Sequence, residues 1–109
     1  MNRDDLEAAL GSDQSAFACA ARAELQAGAD FKLFESQTAS ARLLWTTWSD
    51  RHQTMLETGV TPRPGLAEAV DGLYSAGTDR VYSATITGTQ QRFTVFLSED
   101  LTRCIACMG

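Results

Sequence analysis

Cys104-Ile105-Ala106-Cys107 puts two thiols at the spacing used by dithiol redox sites and by half of a zinc site. Redox chemistry of that kind needs a thiolate stabilised at a helix N-terminus. Here the pair falls in a short apolar segment that reads as a terminal strand. Side chains alternate along a strand, so an odd separation sends residues 104 and 107 to opposite faces, too far apart for a disulfide without a bend. The pair therefore reads as two buried structural cysteines. A tetrahedral zinc site would take Cys19, His52, Cys104 and Cys107, which are all the Cys and His in the chain. No Gly or Pro shapes a knuckle between Cys104 and Cys107, and Cys19 and His52 stand alone in helical patterns. The expectation is no metal and no cofactor, with that set as the zinc alternative.

His52 is the single histidine. A general base of near-neutral pKa would need a nucleophile and an orienting carboxylate. The chain has no G-x-S-x-G elbow, and Ser49 and Asp50 face away from His52 on a helix. It reads first as a core histidine. In an alternative reading, Trp48, His52 and Tyr82 line a small-molecule or catalytic cleft between helix and sheet. Asp4-Asp5 and Glu99-Asp100 suit a helix start and a turn and lack the spacing of a calcium loop. The glycines punctuate helices and form no phosphate loop.

The elements that would position these residues follow from periodicity. Asp4 with Glu7 suggests a cap for a short helix through Leu6, Ala9 and Leu10 that stops at Gly11. A second helix runs from Ser12 or Asp13 to about Ala27, with Phe17, Ala21 and Leu25 inward and Gly28 just past its end. Residues 30–35 fit either a helical turn or a short strand. A third helix runs from Ser36 or Thr38 to Gly59, with Ala41, Leu44, Trp45, Trp48, His52, Met55 and Leu56 as its buried stripe. Pro62 and Pro64 make a rigid connection. A fourth helix, about Leu66 to Ala76, buries Leu66, Ala69, Val70 and Leu73 before Gly77. The period then becomes two: strands over 80–87, 92–97 and 102–108 are joined by short turns and pair antiparallel. The expected architecture is one α+β domain over residues 1–109. Three or four N-terminal helices (about 1–77) pack as one layer on a three-stranded antiparallel meander (about 80–108). The last strand shows nothing that would blunt its edge.

Charge excludes some functions. Nine basic and fourteen acidic residues give −5. The basic residues are scattered singly, so neither a phosphate backbone nor an anionic membrane finds a basic face. Residues 1–35 carry −4, residues 36–79 carry −2 and residues 80–109 carry +1. No apolar run approaches the ~18–20 residues of a membrane span. Met1–Asp5 lacks the pattern of an export signal, and three cysteines suit a reducing compartment. The expectation is a small acidic cytoplasmic protein that binds another protein without catalysis, as an inhibitor, immunity protein, antitoxin or assembly partner would. Asp4, Asp5, Glu7 and Asp13 would meet a basic partner. Arg92, Thr94 and Phe96 would offer a second contact on the sheet, with a homodimer through the sheet as a further arrangement.

Overall fold

Asn2 and Asp5 start the first helix by capping each other. Asn2 Oδ1 accepts from the Asp5 amide at 2.9 Å, and the Asp5 carboxylate accepts from the Asn2 amide at 3.2 Å. The computed structural model describes residues 1–57, 63, 65–74 and 79–109, with the side chains of 52, 53 and 55–57 outside that description. This box opens α1 (Arg3–Leu10), upstream of the Asp4–Glu7 pair read from the sequence. Ser15 caps α2 (Ala16–Gln26), which ends where Gly28 takes a φ of 95° that side chains disfavour. Leu6, Ala9, Leu10, Ala18, Ala21 and Leu25 are buried, whereas Phe17 sits half-buried at the rim.

Strand β1 (Asp30–Gln37) follows, and α3 (Thr38–Glu57) begins with no intervening loop. Then come α4 (Leu66–Leu73), β2 (Arg80–Thr87), β3 (Arg92–Leu97) and β4 (Cys104–Met108). The sheet runs β1-β2-β3-β4, every pair antiparallel. The α+β class is as expected, but the sheet has four strands rather than three. Residues 30–37 pair with β2 along their whole length, from Asp30 opposite Thr87 to Gln37 opposite Arg80. Most of this strand is exposed on both faces, so no burial requirement imposes the alternation by which a strand is recognised.

Register sorts the side chains into two faces. Phe93, Val95 and Leu97 share one with Ala84, Ile86, Cys104 and Ala106, under α1 and α2. Phe96 lies on the other with Val81, Ile105 and Cys107, under Ala41 and Trp45 of α3 and Leu66, Val70 and Leu73 of α4. The helices therefore form two layers, one on each face, rather than the expected single layer. The cause is legible in β3, whose residues from Phe93 to Leu97 are all buried, as a central strand covered on both sides must be. Leu44, read as part of the inner stripe of α3, is 44% exposed because Ala41 and Trp45 take the inward direction. The ends proposed at Gly59 and Gly77, and Pro62 and Pro64, lie outside the described residues.

The β3–β4 turn closes without glycine. Leu101 adopts a φ of 63°, and the Asp100 carboxylate holds the turn by accepting from Ser98 Oγ (2.7 Å) and from the Thr102 amide (3.1 Å) and hydroxyl (2.7 Å). Those bonds hold the Asp100 carboxyl at about 2.

The outer edge of β4 is sealed by side chains. The Cys104 amide donates to Ser12 Oγ at 3.0 Å and the Ala106 amide donates to Asp13 Oδ2 at 2.8 Å. Arg63 Nη1 donates to the Ala106 carbonyl and to Asp13 Oδ2, both at 2.8 Å, and to Ser15 Oγ at 2.6 Å. Ser12, Asp13 and Arg63 thus occupy the positions a fifth strand would fill. Burial opposes ionisation of Asp13, but the Arg63 guanidinium and the Ala106 and Ser15 amides outweigh it, leaving the carboxyl below its ordinary value. Stability from ionised Asp13 is therefore present above about pH 4 and lost as pH falls through the ordinary range to that lower value. Arg63→Met should cost about 3–5 kcal/mol at neutral pH, because it strands a buried carboxylate. It should also abolish the Asp13 share of the acid-side loss, since burial is then less opposed. Urea unfolding from pH 3 to 7 reads both, and a variant with wild-type stability would show the clamp to be idle.

Candidate functional site

The proposed carboxylate surface is divided. Asp4 and Asp5 are exposed on α1 and Glu7 is half-buried. Asp13 is not available to a partner, since it is buried in the clamp against Arg63. The proposed sheet contact is divided too. Arg92 is exposed, but Thr94 is buried and donates to the Gly109 carbonyl at 3.1 Å. Phe96, read as a candidate surface anchor, is 1% exposed. Its ring lies 5.9 Å from that of Trp45, edge to face, and 5.4 Å from that of Trp48. The second helical layer covers the face on which it was expected to stand open. Phe96→Ala should therefore lower stability by about 3–5 kcal/mol in denaturant titration, as loss of a core aromatic does. A change under about 0.5 kcal/mol would mark it as a surface residue after all.

The cleft alternative loses its geometry. Trp48 packs with Phe96 under α3, while Tyr82 sits opposite Leu97 on the other face and packs with the α1–α2 core. The side chain of His52 lies outside the described residues. Tyr74 stacks on Trp45 at 5.6 Å, its hydroxyl 3.4 Å from the Tyr82 carbonyl, and burial holds that hydroxyl protonated well above its ordinary value.

The cysteines are also kept apart. The Cys104 thiol donates to the Ala9 carbonyl at 3.2 Å beneath α1. Cys107 packs with the opposite core cluster, and Cys19 is exposed on α2. Burial pushes both strand thiols up to about 12, and the nearby Asp13 charge adds to the effect at Cys104. Such thiols stay protonated and unreactive near neutral pH. A thiol reagent at pH 8 should modify one site in the folded protein, Cys19, and three in denaturant. Rapid native labelling of Cys104 or Cys107 would contradict the burial.

A cleft of about 750 Å³ opens where β1 passes into α3, lined by Gln37, Thr38, Ala39, Arg42, Asp79 and Arg80. Its cations are engaged in exposed ion pairs: Arg42 with Asp71 at 3.7 Å and Arg80 with Glu35 at 3.2 Å.

What remains is an edge that the sequence did not announce. The four exposed large apolar residues among those described are Leu33 (37%) and Phe34 (40%) on β1, and Leu43 (71%) and Leu44 (44%) in the first two turns of α3. Leu33 and Phe34 project from opposite faces of β1. Arg42 reaches Asp71 of α4 on one flank of α3, and 100° per residue puts Leu44 on the flank away from α4. Among the described residues, no hydrogen bond from outside the sheet reaches the backbone of Asp30–Gln37. Lys32 Nζ lies over the Phe34 ring at 5.2 Å, and Arg3 lies over Phe31 at 5.6 Å. Comparisons with family models, with characterised proteins and with solved structures find no match to this chain.

Proposed function

We propose that this chain acts by binding protein rather than by chemistry, and that β1 is the binding element. The observation that carries the reading is the contrast between the two edges of one sheet. β4 is filled by Ser12, Asp13 and Arg63, whereas among the described residues nothing pairs the outer edge of β1, which carries Leu33 and Phe34 in the open. A bare edge offers alternate backbone N–H and C=O groups to an incoming strand, and the side chains on its two faces supply specificity. The burial of Cys104 and Cys107 and the engagement of Asp13 by Arg63 support the non-catalytic half of the reading. The charges of Asp30, Lys32 and Glu35 keep so exposed a strand from pairing indiscriminately.

Random peptides selected on the immobilised protein test this directly. Binders should be extended, should perturb the backbone amides of Asp30–Gln37 in NMR spectra, and should lose affinity at least about tenfold with Leu33→Lys/Phe34→Lys. That variant should keep the wild-type melting temperature within a few degrees, because both side chains are partly exposed already. Peptides that map instead to the Gln37–Arg80 cleft or to Asp4 and Asp5 would overturn the reading.

A further inference from the structure

We infer that the strand added to β1 is β1 of a second copy, paired antiparallel about a two-fold axis at Leu33. The inference rests on the strand-addition reading and names its partner. A two-fold axis that joins two sheets edge to edge stands normal to them and keeps each face on its own side. Paired residues must then share a face, so the axis passes through a residue and never between two.

The sequence of β1 selects among the possible centres. An axis at Lys32 or at Glu35 sets like charges opposite each other, which is destabilising. An axis at Phe31 or at Ser36 pairs only three of the eight strand residues. An axis at Phe34 sets Leu33 against the partner's Glu35 and moves that carboxylate away from Phe31 and from the Arg3 that lies over it. An axis at Leu33 pairs Leu33 with itself, Lys32 with the partner's Phe34, Phe31 with the partner's Glu35, and Asp30 with the partner's Ser36. Each of these pairs is tolerated or favourable.

Two observations favour that register further. Lys32 already lies over its own Phe34 at 5.2 Å, so the ammonium comes to sit between two aromatic rings. Arg3 lies over Phe31 at 5.6 Å, and among the described residues it has no carboxylate partner. Arg3 Nη1 donates to the Leu25 and Ala29 carbonyls, and pairing Phe31 with the partner's Glu35 adds that carboxylate, held at 3.2 Å by Arg80 of its own chain, beside the same guanidinium, an attraction that the symmetry repeats. The two sheets then form one continuous sheet of eight strands. Its only outer edges are the two β4 strands, both sealed by Ser12, Asp13 and Arg63.

Sedimentation equilibrium from roughly 1 to 500 µM, together with site-specific cross-linking, tests the inference on the full chain. The wild type should show a monomer–dimer equilibrium, and Leu33→Lys should raise the dissociation constant at least about tenfold with unchanged circular dichroism. In a Cys19→Ser background, Leu33→Cys should form a disulfide-linked dimer on mild oxidation. Opposed Cα atoms at the axis lie about 4.5–5.5 Å apart, within disulfide reach. Phe31→Cys in the same background should not, since its own copy lies about 13 Å away along the strands. A dimer that survives Leu33→Lys, or that cross-links through Phe31→Cys and not Leu33→Cys, would overturn the register and the inference with it. A monomer at every concentration would overturn the dimer while leaving the strand-addition reading to the peptide mapping, which fails separately.

Discussion

The buried pairing of Asp13 with Arg63 across the Ala106 peptide is the interaction on which the rest depends. One carboxylate and one guanidinium satisfy an N–H and a C=O that a terminal strand would otherwise expose. They also tie the α1–α2 junction and residue 63 to the same strand, so three separate stretches of chain meet at one point. Buried charges are costly unless paired and hydrogen-bonded, and here the Asp13 carboxylate accepts from Arg63 and from the Ser15 and Ala106 amides. The result is a sheet with two unlike edges.

That asymmetry shapes the functional account. Sealing one edge removes it as a template for association and leaves pairing to the other. Covering both faces of the sheet with helices has a parallel effect, since Thr94 and Phe96 become core and cannot meet a partner. The reactive side-chain types are absorbed in the same way: two of three thiols are buried, and Asp13 is engaged by Arg63. Among the described residues, the large exposed apolar side chains lie instead on β1 and the adjoining turns of α3. The outer edge of β1 is unpaired among the described residues and has leucine and phenylalanine at its centre, the features on which the proposal of strand addition rests.

Much of the fold was legible in the sequence. The four helices and the last three strands lie close to their periodicities, and Cys104 and Cys107 fall on opposite faces as an odd separation requires. What escaped did so for physical reasons. β1 has no buried face to enforce alternation, and Phe34 and Glu35 reverse the phase set by Phe31 and Leu33, so its pattern fits no single period. The second helical layer was encoded by Phe96 and Cys107, which extend the apolar run of β3 and β4 across both faces. Reading Phe96 as exposed followed from assuming that the second face was open. The clamp could not be read at all, because Asp13 and Arg63 are separated by fifty residues in sequence and only the fold brings them within 2.8 Å. A lone Arg beside prolines and an Asp before a helix each have ordinary surface explanations.

Residue-resolved hydrogen exchange, measured at low and high protein concentration, separates a sealed β4 edge from an open β1 edge. The Cys104 and Ala106 amides should be strongly protected at both concentrations, as sealed edge groups are. Alternate amides of Asp30–Gln37 should exchange quickly in dilute solution and gain protection as concentration rises. Ala106 exchanging as fast as the open strand, or concentration-dependent protection appearing on β4 and not on β1, would contradict this assignment of the edges.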